Sequence, residues 1–329
     1  MKTILHKLLK STLVLSSIAT GVFAQAQTSW PGTSSVKVIV PFSAGGASDV
    51  LTRTLSQRLQ DKIGGNWVVE NRTGAGGNIG MEAVKAAAPD GTMISSATIG
   101  TLSINQFLFA KLPYDPAVDF EYVSKVWENC NAFVVSPTNP ARNVKEFLDW
   151  AKQRPKGVNF GSAGVGTTPH LAGELFRART GIQAVHIPFR GAAQSMPALV
   201  AGETDFAIDN IASYTPLIKS GKVRALAVTC PERWPTMPEV PTMAEAGVPS
   251  DPAIAWIGLF APAGFPQDRI ARVADETGKA LAVPDQRRAL ETAGFTVVGS
   301  DTATFRALLA SDIARWGGII RRLGLKPES

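Results

Sequence analysis

Histidine, cysteine and long apolar runs are all scarce in this 329-residue chain, and each scarcity removes a class of function. Histidine occurs only at His6, His170 and His186. No carboxylate cluster accompanies them, so no metal-ligand pattern is present. No Lys follows a glycine-rich loop in the phosphate-loop arrangement, and Gly74 to Gly80 departs by one residue from a dinucleotide fingerprint. Gly161-Ser162-Ala163-Gly164 lacks the residue that a nucleophile elbow places before its serine. An exported hydrolase using Ser43 or Ser162 would also need a base and an orienting acid, and the pattern offers neither. No cofactor is expected. Net charge is +6, of which Lys2, Lys7 and Lys10 supply three, leaving about +3 spread over the rest. That is no nucleic-acid footprint.

The one apolar run near the start, Leu13 to Ala24, is too short to span a bilayer and follows those three lysines. Small residues at Val22-Phe23-Ala24 and Ala24-Gln25-Ala26 suit cleavage after Ala24 or Ala26. Residues 1–26 are therefore read as a signal peptide and the remainder as exported and soluble, with no Cys in place to carry a lipid. Only Cys130 and Cys230 exist. In an oxidising compartment they form either a pair or two buried thiols, and composition leaves both open.

What is present is an alternation of strands and helices. Val36–Val40 is a β-branched run followed by Pro41-Phe42-Ser43-Ala44-Gly45-Gly46. A helix then begins near Val50, with Leu51, Leu55, Leu59 and Ile63 on one face and Ser48 as its expected cap. Strands are expected over 66–70 and 92–98 and helices over 81–88 and 102–109, with glycine-rich loops at Gly74 and Gly100. Such an alternation implies a parallel α/β sheet whose ligands sit beyond the strand ends. The device repeats at 158–180. There a strand leads through Gly161-Ser162-Ala163-Gly164-Val165-Gly166-Thr167-Thr168 into a helix. Further strands are expected over 132–135, 184–187, 204–208, 223–228 and 257–262. Further helices are expected over 143–153, 191–201, 214–220, 267–281 and 302–322, with Pro197 at a start or kink.

Two glycine-rich helix N-termini either direct backbone N–H groups outward, making together an anion site without a charged side chain, or are ordinary strand–helix turns. Thr101, Ser162, Thr167 and Thr168 add neutral hydroxyls. Asp209 closes a strand in the second half, either to receive a donor from the ligand or to cap the following helix. His170 is read as a structural hydrogen-bonding residue, His186 as packing or rim, and Arg190 as rim.

Taken together, residues 40–49, 69–80, 88–91, 112–116, 161–174 and 259–264 resemble the Bug family. These are the substrate-binding proteins of tripartite tricarboxylate transport systems, also called the TctC type. The likeness runs in order through essentially the whole mature chain. It implies a two-lobed type II periplasmic-binding-protein fold of class α/β, with the ligand cleft between the lobes. Lobe one would be 27–127 plus 231–329 and lobe two 128–230, with crossovers near Ser124–Asn131 and Val228–Glu232. Crossover strands in that fold lie side by side, which points Cys130 at Cys230. The implied ligand is a small carboxylate: a di- or tricarboxylate, an acidic amino acid or an aromatic acid. Carried over, the binding residues are Phe42, Ser43, Ala44, Gly45, Gly46, Thr101, Ser162, Ala163, Gly164, Gly166, Thr167 and Asp209. Leu102 departs from the more polar residues common at its position. The resemblance implies a periplasmic monomer that is not an enzyme and delivers its ligand to membrane permease subunits. A receptor-signalling partner is the alternative.

Overall fold

The computed structural model describes residues 30–248 and 253–325, so the expected signal peptide lies outside the described residues. Among the described residues no helix is long and apolar enough to cross a membrane. The first segment runs β1 (Ser35–Val40), α1 (Ala47–Ile63), β2 (Asn66–Asn71), α2 (Asn78–Lys85), β3 (Met93–Thr98), a π turn over Gly100–Ile104, and α3 (Asn105–Leu108). β1 pairs in parallel with both β2 and β3, as the alternation requires. α1 buries Leu51, Leu55, Leu59 and Ile63, each contributing about 1.5–3 kcal/mol of apolar burial. The helix starts earlier than the sequence suggests. Its N-cap is Gly46, with no side-chain capping bond, and Ser48 lies inside the first turn.

β4 (Phe120–Asn129) ends one residue before β5 (Asn131–Val135), so the chain leaves the first sheet at Cys130. α4 (Val144–Lys152), β6 (Val158–Ser162), α5 (Thr168–Thr180), β7 (Ala184–Pro188), α6 (Ala192–Ala201), β8 (Phe206–Asn210), α7 (Ile211–Lys219) and β9 (Arg224–Val228) build the second sheet, in the order β7-β6-β8-β5-β9. Pro197 lies within α6 rather than at its start. β10 (Ala255–Pro262) returns to the first sheet between β3 and β4, antiparallel to both. α8 (Gln267–Ala282), α9 (Pro284–Thr292), β11 (Thr296–Val297) and α10 (Thr302–Leu323) finish the chain, and the first sheet reads β11-β4-β10-β3-β1-β2. α9 and β11 have no counterpart in the sequence reading, since α9 buries none of its residues and offers no apolar face to recognise. The closing region is one helix. Phe305, Leu309, Trp316, Ile319 and Ile320 are its buried apolar residues, while Leu308 and Ile313 are only partly buried.

Each sheet carries an apolar cluster of its own, with Val36, Val38, Leu51, Trp127 and Phe265 on the first and Val134, Leu199, Tyr214 and Val228 on the second. A third cluster spans both and joins Tyr122, Phe260 and Trp316 to Phe133, Phe160 and Leu171. The proline-rich segment after β9, expected with the first lobe from residue 231, packs Trp234, Met237 and Val240 into the second core instead. Pro231, Pro235, Pro238 and Pro241 interrupt any helix or strand pattern there, which is why its partner was not legible. Cys130 and Cys230 form a disulfide with Cα atoms 5.3 Å apart, joining the outward crossover to the segment that follows β9. The bond closes a loop with a sequence separation of 100, for which chain entropy gives up to about 4.7 kcal/mol. Cys130→Ala/Cys230→Ala is expected to lose about 2–5 kcal/mol in urea unfolding. An unchanged midpoint, or two titratable thiols in the oxidised protein, would contradict the pairing.

Candidate functional site

The C-terminal rim of the first sheet faces the corresponding rim of the second. The β1–α1 loop brings Phe42, Ser43 and Gly46, the β3 end brings Thr98, Ile99 and Gly100, and the β6–α5 loop brings Ala163, Thr167 and Thr168 to one cleft. Ala192, at the start of α6, joins them. Three helices of 17, 13 and 10 residues thus open toward the same space. Each presents N–H groups that its own backbone cannot satisfy, at the positive end of its dipole. None of the residues lining this cleft is charged.

The first loop is held from below by Asp49. Its carboxylate accepts from Gly45 N–H at 2.9 Å, from Arg53 Nε and from Asn71 Nδ2. Burial pushes this carboxyl up, but those hydrogen bonds outweigh it and hold the group below the usual Asp range. Asp49 therefore uses one loop N–H and leaves those of Ala47 and Ser48 with no acceptor among the described residues. The second loop is held by Ser162. Its hydroxyl takes the Gly164 N–H at 3.1 Å and lies 2.6 Å from His186 Nε2. Thr167 donates to Gly164 O at 2.6 Å and caps α5 by accepting from His170 N–H.

The residues expected from sequence divide into three groups. Phe42, Ser43, Gly46, Ala163 and Thr167 line the cleft, and Phe42, Ala163 and Gly164 also line an outer cavity with Gly74–Gly77 and Arg190. Ala44 and Gly45 are exposed and absent from both linings. Thr101, Ser162, Gly166 and Asp209 lie behind the walls. Thr101 Oγ1 bonds the Thr98 backbone, Ser162 and Asp209 are fully buried, and Gly166 donates its N–H to His170 Nδ1. The cleft also contains Asn129, Asn210, Ser213, Ile257 and Phe295. These come from five separate elements or turns, and only the strand order brings them together. The start of α6 was the one missed feature with a local signal, since Gly191 precedes a helical pattern.

Asp209 does not cap α7 through N2 or N3. Its Oδ1 accepts from Asn210 N–H at 2.6 Å, and Ser195 Oγ stands 3.5 Å from Oδ2. Burial pushes the carboxyl up to about 6, against those hydrogen bonds. His170 and His186 stack at 4.2 Å, and burial lowers them to about 4 and about 3. The sequence offered Ser162 no base, yet His186 supplies a hydrogen-bonding nitrogen. That pair still cannot serve a hydrolase, because the Ser162 hydroxyl is fully buried behind the cleft wall and no carboxylate orients His186 among the described residues.

The lobes touch through glycines. Ser43 N–H donates to Arg190 O at 3.3 Å. A Cβ at Gly191 would stand 2.2 Å from Ser43 Oγ, one at Gly76 2.3 Å from Val165 O, and one at Gly100 2.7 Å from Gly166 O. Such approaches need the absence of a side chain.

Residues 51–325 match the tripartite tricarboxylate transporter family receptor. The chain is 34% identical over 292 residues to BugT of Bordetella pertussis, covering 88% of this chain and 90% of BugT. Among solved structures, Rpa4515 of R. palustris with adipate superposes with a TM-score of 0.88 at 32% identity, covering 91% of this chain and 100% of that one. MatC of Rhodopseudomonas palustris with bound malate gives 0.83 at 31% identity, covering 87% and 98%.

Two outcomes follow from this geometry. Gly100 has no left-handed backbone to protect, so Gly100→Ala crowds the seam without straining the backbone, and the radius of gyration separates lost closure from a methyl added to the cleft lining. The substitution is expected to weaken ligand binding at least about ten-fold and to raise the radius of gyration in solution scattering, with little change in unfolding midpoint. Unchanged affinity would show that the seam does not close on the ligand. For Asp209, a folded pKa near 6 lies above the ordinary 3.8, so its protonation stabilises the fold below pH 4 and that contribution is lost as pH rises through about 6. The stability advantage of wild type over Asp209→Asn is expected to be larger at pH 4.5 than at pH 7 by at least about 1 kcal/mol. A pH-independent difference in urea unfolding would refute it.

Proposed function

This chain belongs to the tripartite tricarboxylate transporter receptor family, and we propose that it captures a small carboxylate between its lobes in the periplasm and passes it to a membrane permease. The family consists of periplasmic binding proteins rather than enzymes. The observation that carries the ligand class is the convergence of α1, α5 and α6 on a cleft with no charged lining. A carboxylate satisfies the orphan N–H groups and the dipoles at once. A metal ion or a bulky cation would meet the wrong end of all three helices. Relatives solved with adipate and malate support the same class.

Capture proceeds without covalent chemistry. The open lobes admit the acid, the α1 and α5 N-termini accept one carboxylate, and rotation about the crossovers closes the glycine seam over it. Binding favours the closed arrangement only to the extent that the ligand touches both lobes, which this cleft requires. A permease then has a composite surface from two lobes to recognise, present only when the cleft is filled. The chain acts as a monomer in this scheme, because the site is complete within one copy.

A thermal-shift screen of the mature chain against mono-, di- and tricarboxylates tests this reading. An acid at 100 times its dissociation constant is expected to stabilise the fold by about 2.7 kcal/mol. If no carboxylate shifts the transition, even after unfolding and refolding to strip carried-over ligand, the proposal fails.

A further inference from the structure

The cleft is longer than a carboxylate anchor needs, and its far end has a different chemistry. Along the first rim the strands run β1, β3, β10, β4, with neighbours about 4.8 Å apart. Asn129, at the end of β4, therefore lies three spacings, about 14 Å, from the β1–α1 loop. A hydrogen bond of about 3 Å at each end leaves roughly 8 Å for the ligand. The cleft is lined by the large apolar side chains Ile99, Ile257 and Phe295 together with the small side chains Ala163 and Ala192. Large apolar groups alongside alanines leave a slot suited to a flat body.

The far end holds Asn129, Asn210 and Ser213. Ser213 Oγ is shut off from solvent with no hydrogen-bond partner, and the Asn129 amide has none among the described residues. Orphaned buried polar atoms are rare in native structures and call for a partner. A second carboxylate is a poor one. Of the α7 N-terminal donors at this end, Ile211 N–H is taken by Cys130 O and Asn210 N–H by the Asp209 carboxylate. Asp209 is fully buried and has no ion-pair partner among the described residues, so a ligand anion here would meet like charge with no Lys or Arg in the lining to offset it.

We infer that the acid carried by this chain has one carboxylate, a flat apolar body, and an uncharged hydrogen-bonding group, such as a hydroxyl, about 8 Å from the carboxylate. This rests on the carboxylate capture proposed above and narrows it: the far group donates to or accepts from Asn129, Asn210 and Ser213. It separates this chain from relatives solved with adipate or malate, whose ligands carry a second carboxylate.

Calorimetric titration with 4-hydroxycinnamate, cinnamate and adipate tests it. Cinnamate lacks the hydroxyl, and adipate carries a second carboxylate in its place. 4-Hydroxycinnamate is expected to bind at least about ten-fold tighter than either, because a site with buried polar groups rejects an analogue that leaves them unpaired. Asn129→Leu is expected to erase the lead over cinnamate. Ser213→Ala reads the same preference from the second lobe if the Asn129 variant does not fold. Adipate binding as tightly as 4-hydroxycinnamate, or cinnamate matching it, overturns the inference and leaves carboxylate capture standing. No binding by any of the three, nor by malate or citrate, overturns both.

Discussion

A negative charge can be held in a cleft of neutral side chains only if backbone dipoles already point at it. Here α1, α5 and α6 supply those dipoles, and most of the surrounding structure keeps their ends in place. Asp49 fixes the α1 loop by taking Gly45 N–H and anchoring Arg53 and Asn71. Ser162 and Thr167 fix the α5 loop by taking up its inward-facing groups. The N–H groups left over are the proposed binding groups. A lysine in the same place would bind more kinds of anion with less regard to direction, whereas fixed N–H donors discriminate by geometry.

Because the donors are divided between two lobes, the proposed capture couples binding to closure. The glycines at the seam let backbone meet backbone, which a grip of both loops on a single carboxylate requires. The disulfide contributes at the other end of the cleft. It ties the crossover at Cys130 to the segment after β9, so the proposed closure would turn about these tethered neighbouring segments. In the proposed scheme, affinity, closure and the surface offered to a permease depend on the same few loops.

The sequence made the two loops legible because a strand, a glycine-rich turn and a helix each leave a local signal. β1 into Gly45–Gly46 and β6 into Gly164–Gly166 were both readable in this way, and the parallel pairing of β1, β2 and β3 followed from their spacing. Other features depended on side-chain direction. Thr101 and Ser162 carry suitable hydroxyls, but both face inward, where they bond Thr98 and His186. Asp209 stands at the right strand end, yet its carboxylate turns under the cleft toward Ser195 and Asn210. The far wall was out of reach for another reason. Asn129, Ser213 and Phe295 are distant in sequence and become neighbours only through the strand order β11-β4-β10 and the facing second sheet. Leu102, which departs from the more polar residues common at its position, is fully buried in the core and absent from the cleft lining.

Backbone amide shifts report on the donors themselves. In a two-dimensional nitrogen–proton spectrum of the labelled mature chain, saturating with a carboxylate that binds should move the Ala47, Ser48 and Thr168 amide protons downfield. Their exchange with water should slow at the same time, while amides elsewhere on α1 and α5 change little. A carboxylate that binds tightly yet leaves those three amides unmoved would contradict the account, because its charge would then be held by something other than the helix N-termini.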